Sequence, residues 1–209
     1  MSDVVPPAVR GVAAFDFDGT ITERDTLVGF LAFVGGRRAL AAAMSAESLR
    51  LARGVRSSAE RNAAKEGVLR RVLGGRSEVD VIAAGERYAA MLPARFRPPS
   101  VERINHHRTS GHQLVIVSAS LVYYLRPLAV ELGFHEVIAV EMEAGDDGML
   151  TGALSGENVR KAEKERRLRA WLGAEPFELW AYGDSAGDEH LLGMAHHPTW
   201  VGRRAKRNA

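Results

Sequence analysis

Val12-Ala13-Ala14-Phe15-Asp16-Phe17-Asp18-Gly19-Thr20-Ile21-Thr22 is the stretch on which the fold turns. Four apolar residues run into two carboxylates and a Gly-Thr break. That is the pattern of a buried parallel strand entering a loop, and open α/β sheets bind ligands at the carboxyl ends of such strands. Residues two apart on a regular strand face the same side, but past the last ladder bond the chain is free to turn. One of Asp16 and Asp18 can then attack a substrate while the other moves the proton. A plain strand-end turn uses the same residue types. However, two carboxylates against an apolar strand are costly unless paired, and they repel one another, so a bound cation answers both problems.

Outward from that strand the periodicity becomes helical. Leu27, Phe30, Leu31 and Val34 fall at i, i+3, i+4 and i+7 and stop at Gly35-Gly36. Residues 37–53 and 59–73 continue the pattern, and Ser77 is placed to cap a helix reaching about Leu92. No strand-like alternation occurs between residues 26 and 97, so this stretch reads as an all-helical insert. Beyond Pro98 the elements alternate. Helices are predicted at 100–111, 121–132, 161–172 and 189–194, with Pro127 kinking the second or starting another. Strands are predicted at 113–118, 136–140, 179–182 and 199–201, and Asp147-Gly148 predicts a two-residue hairpin turn. The expected fold is α/β: a Rossmann-like parallel sheet core from residues 1–25 and 98–209, and a helical cap from residues 26–97.

Composition narrows the chemistry. The chain has 209 residues, 46% of them hydrophobic, enough for one substantial core with a small insert. No apolar run is long enough to span a membrane, and the first residues lack a charged-then-apolar signal, so a soluble cytoplasmic protein is expected. The absence of cysteine excludes thiolate catalysis and Cys-based zinc sites. Net charge is only +2, but residues 50–76 carry an excess of six positive charges, and residues 131–149 carry six acidic residues and no Lys or Arg. The basic stretch is either a solvated face or a field that gathers anionic substrates. His106-His107, His112 and His196-His197 lack carboxylates at zinc-site spacing and are expected on the surface. The basic end Arg203-Arg204-Ala205-Lys206-Arg207 is expected to be a solvated tail, with no nucleic-acid or membrane partner implied.

Four pieces stand in a telling order. Asp16-Phe17-Asp18-Gly19-Thr20 resembles the first motif of the haloacid dehalogenase superfamily. Val115-Ile116-Val117-Ser118-Ala119-Ser120, then Lys164, then Gly183-Asp184-Ser185-Ala186-Gly187-Asp188 resemble its second, third and fourth. The resemblance implies a nucleophile at Asp16, a general acid/base at Asp18, phosphate holders at Ser118 and Lys164, and a magnesium ion at Asp16, Asp18, Asp184 and Asp188. Lys161 is the alternative lysine. Thr20 and the backbone of Ala119 are expected beside the phosphate. The helical insert is similar to that of the phosphoserine phosphatase branch, which implies leaving-group contacts from Asp25 and from Arg71 or Arg70. Asp25 is shorter than the glutamate usual in that branch, and Ser185 and Gly187 depart from its usual Gly-Asp-Gly-Ala-Asn-Asp, so a related small phosphate ester competes with phosphoserine as substrate.

The chemistry suits these residues. A phosphate monoester is a dianion, and a divalent cation shared with Asp16 would lessen its repulsion of a carboxylate nucleophile. An aspartyl phosphate splits one hard displacement into two easier ones, and Asp18 can serve first as acid and then as base. Two other readings compete with this phosphomonoesterase. One is a metal-independent dehalogenase on the same scaffold, against which Asp18 and Asp184 argue. The other is a binder of nucleic acid or anionic lipid through the basic cap, whose mark would be steep salt dependence.

Overall fold

The computed structural model describes residues 9–52 and 58–202, with backbone alone at 49–52, 58–59 and 61–62. Arg53 and Arg56 of the basic stretch and the basic C-terminal run therefore lie outside the described residues, as do the side chains of Arg50 and Arg61.

Strand β1 (Arg10–Phe15) pairs in parallel with β2 (Gln113–Leu121) on one side and β6 (Phe177–Gly183) on the other. With β3 (Glu136–Val140) and β7 (His197–Trp200) these make a five-stranded parallel sheet in the order β3-β2-β1-β6-β7. A central strand is covered on both faces, which is why Val12 to Phe15 show no alternation and are all fully buried. The crossovers are α5 (Pro98–Thr109), α6 (Val122–Leu132), α7 (Ala162–Leu172) and α8 (Glu189–Gly193).

Between β1 and β2 the chain forms α1 (Leu27–Gly35), α2 (Arg37–Ala52), α3 (Ser58–Leu73) and α4 (Glu78–Ala89), then a short 3-10 turn at Pro93–Arg95. None of these adds a strand to the five-stranded sheet. The helices meet the sheet layer through rings. Phe30 on α1, Tyr88 on α4 and Tyr124 on α6 lie with centroids 4.9 to 5.5 Å apart, each burying apolar area worth roughly 2 kcal/mol. Gly85 lets α4 approach α6, since a Cβ there would stand 2.2 Å from the Tyr123 carbonyl oxygen.

Several local expectations change. β2 runs to Leu121, three residues past the predicted end, because Leu121 pairs with Val140 after an irregularity in register. Pro127 sits inside one continuous α6, and Gly133 (φ +77) ends that helix. Asp147-Gly148 is the tip of a five-residue loop rather than a two-residue turn, joining β4 (Met142–Ala144) to β5 (Leu150–Leu154). Ser77 precedes α4 without a side-chain cap and bridges to Met149 instead. His107, expected on the surface, is buried. Its Nε2 lies 2.8 Å from the Tyr182 hydroxyl and its Nδ1 2.8 Å from His112 Nδ1, and burial pushes its pKa down to about 4.

Candidate active site

The end of β1 sets the geometry. The last ladder bond runs from the Asp16 N–H to the Tyr182 carbonyl oxygen at 2.9 Å. The chain then folds sharply, and the N–H groups of Thr20, Ile21 and Thr22 all reach the Phe17 carbonyl oxygen. Gly19 makes that turn possible at φ +81, with Asp184 so near that an added Cβ would lie 2.2 Å from its Oδ2. The turn points the Asp16 and Asp18 carboxylates at different neighbours.

Asp16 faces the core. Its Oδ1 accepts from Lys164 Nζ at 2.6 Å and its Oδ2 from the Thr20 hydroxyl at 3.2 Å. Lys164, near the start of α7, is buried, and it donates equally to Asp188 Oδ1 at 2.6 Å. Oxygens of Asp16, Asp184 and Asp188 all lie within 4.8 Å of one another. Burial pushes the Asp16 carboxyl up to about 7, with the Lys164 charge pulling against it. Burial and the Asp188 charge likewise raise Asp184. Asp188 differs. Burial alone would raise it, but the Lys164 charge and hydrogen bonds from Lys164 and Ser185 hold it below the ordinary carboxylate value. Burial opposes the Lys164 charge, and Asp16 and Asp188 outweigh it, so that lysine stays protonated.

Asp18 faces the cap. Its Oδ1 accepts from the Thr26 N–H at 2.7 Å and the Thr26 hydroxyl at 2.6 Å, and its Oδ2 accepts from the Ser120 hydroxyl. The Thr26 hydroxyl also meets Tyr124 OH at 3.1 Å, and its carbonyl accepts from Tyr88 OH at 2.9 Å. Burial, with Asp25 nearby, raises the Asp18 carboxyl.

Asp16, Asp18, Ser120, Lys164, Asp184 and Asp188 line one cavity of about 560 Å³ together with Asp25, Lys65, Ser118, Ala119, Asn158 and Arg160. Ser118 is buried, and its Oγ accepts from the Ser120 N–H at 3.1 Å, which leaves its own O–H to donate. It is inside β2 rather than at a helix start, since α6 begins at Val122.

The structure thus brings Asp16, Asp184, Asp188 and Lys164 together, with Asp18, Ser118, Ala119 and Asp25 on the same cavity. Four expected residues are placed differently. The Asp18 carboxylate is outside the cluster of three, because Thr26 and Ser120 occupy it. Thr20 is fully buried, and its hydroxyl goes to Asp16 rather than to the cavity. Arg71 is exposed and pairs with Glu47 at 3.0 Å, because it projects toward α2. Arg70 is exposed and lies over Gly152 of β5. Neither arginine lines the cavity. Lys161 is exposed at φ +53, one residue before α7, so Lys164 is the lysine that reaches the carboxylates.

Leu27, Val28 and Lys65 are the cap residues that line the cavity, and Lys65 on α3 donates to the Ala119 carbonyl at 2.5 Å and to Asn158 Oδ1 at 3.2 Å. Burial pushes it down to about 8, against Asp25 and Asp18. Its position was readable in part: Lys65, Val68, Leu69 and Val72 fall at i, i+3, i+4 and i+7, a cation on the apolar stripe of α3.

Comparison with known proteins finds relatives of this chain by sequence and by fold. The family profile for haloacid dehalogenase-like hydrolases matches residues 13–193. Protein CicA of Caulobacter vibrioides is 33% identical over 188 residues, covering 88% of this chain and 82% of that one. A phosphoserine phosphatase of Archaeoglobus fulgidus is 28% identical over 97 residues, 45% of this chain and 28% of that one. A Bordetella pertussis Tohama I protein of unknown function has a like fold, with a TM-score of 0.80, 24% identity and coverage of 97% and 95% of the two chains.

Proposed function

The chain belongs to the haloacid dehalogenase-like hydrolase family and is a phosphoric monoester hydrolase, and from that premise we propose a magnesium-dependent phosphatase of small phosphate esters that works through a phosphorylated Asp16. The observation that carries the reading is the Lys164 ammonium held between Asp16 and Asp188, in a cavity where a second carboxylate, Asp18, is oriented separately. A nucleophile and a proton carrier need that division of labour.

In the first step an Asp16 oxygen bonds to phosphorus while the bond to the leaving oxygen breaks. Asp18, whose burial favours the protonated form, gives its proton to that oxygen. In the second step Asp18 takes a proton from the water that attacks phosphorus, and Asp16 is released. The Ser118 hydroxyl and Lys164 supply donors to the non-bridging oxygens, where charge is greatest. The all-oxygen set of Asp16, Asp184 and Asp188 suits a hard divalent ion of magnesium size. Such an ion, when bound, would screen the nucleophile from the phosphate charge. Ser120 and Thr26 keep the Asp18 carboxylate turned away from Asp16.

Phosphoserine or a related ester is the substrate class we favour, supported by Asp25 and Lys65 on the cavity wall and by the Archaeoglobus relative. The test is a panel of phosphate monoesters assayed with magnesium, with calcium and after exhaustive chelation. Turnover restored by magnesium, and poorly by the larger calcium ion, is the expected result. Full activity after chelation contradicts the metal assignment, and inactivity on every ester contradicts the reaction class.

A further inference from the structure

The Arg160 guanidinium makes no hydrogen bond or ion pair among the described residues, yet the residue is half-buried and lines the cavity, whereas its neighbour Lys161 is exposed. The loop fixes it there. The Arg160 N–H bonds back to the Asn158 carbonyl at 2.7 Å, the Lys161 N–H bonds to the Gly187 carbonyl at 2.9 Å, and Gly187 gives the side chain room, since a Cβ there would meet Arg160 Nε at 3.2 Å. Across the same wall stands Lys65, close enough for the two charges to act on each other. Two of the three Lys65 donors are used by Ala119 and Asn158, which leaves one for a ligand. Like charges brought together in a half-buried wall repel, and the repulsion is relieved when an anion lies between them. Lys164 already satisfies Asp16 and Asp188, so it is a different cation serving a different end of the cavity.

We propose that Arg160 and Lys65 form a second anion subsite, which takes a carboxylate or phosphate carried by the leaving group while the transferring phosphate lies against Asp16, Ser118 and Lys164. This rests on the phosphate-ester reading above and sharpens it. The guanidinium fork suits the paired oxygens of either anion, and the cavity has volume beyond a single phosphate. Asp25 lines the same cavity and its charge acts on Lys65, so an amine on the same leaving group is compatible with the subsite and not required by it.

The test uses three phosphonates that cannot be hydrolysed: propylphosphonate, 3-phosphonopropionate and propane-1,3-diphosphonate, titrated calorimetrically into the magnesium-loaded protein. The two anion-tailed compounds should bind about 10-fold or more tightly than the propyl compound, and whichever gains more identifies the natural tail. Arg160→Ala and Lys65→Met should each narrow that ratio to roughly 3-fold or less, with Arg160→Lys keeping most of it because the charge remains. Equal affinity of the wild-type protein for charged and uncharged tails overturns the subsite while leaving the phosphatase reading intact. A ratio unchanged in Arg160→Ala overturns the role of Arg160. Failure of all three phosphonates to bind removes the phosphate-ester reading and the subsite with it.

Discussion

Gly19 and Gly36 share a φ of +81 but differ in what surrounds them, and that contrast isolates the carboxylate cluster. At Gly36 an added Cβ meets nothing within 4 Å; at Gly19 it meets Asp184 Oδ2 at 2.2 Å and Cγ at 2.6 Å. Both alanine variants put an L residue at positive φ, at a cost on the order of 1–3 kcal/mol, and Gly36, with ψ 153, sits where essentially only glycine is found; in a chain of this size Tm falls by roughly 2–12 °C. Only Gly19→Ala must also drive the Asp184 carboxylate back by roughly 1 Å to reach contact distance, and a displacement of that size at a reacting centre is worth up to about 100-fold. Thermal unfolding should therefore show a loss of stability in both variants, so that activity and not folding separates them. Steady-state hydrolysis of an aryl phosphate across a magnesium titration should show Gly36→Ala near wild type. Gly19→Ala should be slowed by one to two orders of magnitude and need more magnesium, as expected for a displaced ligand. A Gly19→Ala enzyme with wild-type turnover and magnesium requirement, or a Gly36→Ala enzyme slowed as much, would refute the reasoning.

Lys164→Met should reduce turnover by at least about 100-fold in the same assay, because it removes the donor that the proposed mechanism gives to the phosphate and leaves Asp16 and Asp188 facing each other. Lys161→Gly should instead raise stability by about 1 kcal/mol with turnover retained, since φ +53 strains a lysine and suits a glycine; a loss of stability there would contradict the backbone account. Magnesium should raise Tm more at pH 8 than at pH 5.5. The Asp16 carboxyl is raised from 3.8 to about 7, so the metal-free protein gains stability as pH falls from about 7 toward 4 and loses it as pH rises through about 7, where the ion meets ready carboxylates. Equal shifts at the two pH values in scanning fluorimetry would contradict that linkage.

The parts of this fold that follow from local periodicity were legible. The apolar run into Asp16 marked a central strand because strands covered on both faces lose alternation, and the positions from Leu27 to Val34 marked α1 because a helix buries one stripe. What escaped depends on how elements are rotated against each other. Arg70 and Arg71 follow Lys65 by five and six residues on α3, roughly a turn and a half, and only the packing of α3 on α2 decides which of them turns to the cavity and which to Glu47. Ser120 and Thr26 escaped for another reason. Ser120 lies 102 residues beyond Asp18 and Thr26 only 8, and the two belong to no common period. His107 was misplaced because a neutral imidazole can be buried wherever a hydroxyl such as that of Tyr182 meets it, and spacing carries no trace of that partner.

The most direct test of the mechanism is to trap the phosphoryl group on the chain. Asp18→Asn should still accept phosphate from an activated aryl ester, whose leaving group needs little protonation, but should release it slowly for want of a base. Rapid acid quench followed by peptide mass spectrometry should then find a near-stoichiometric phosphoryl adduct on Asp16, absent from Asp16→Asn. Turnover by wild-type protein with no adduct trapped in Asp18→Asn, or an adduct on any residue other than Asp16, would contradict the assignment of Asp16 as nucleophile.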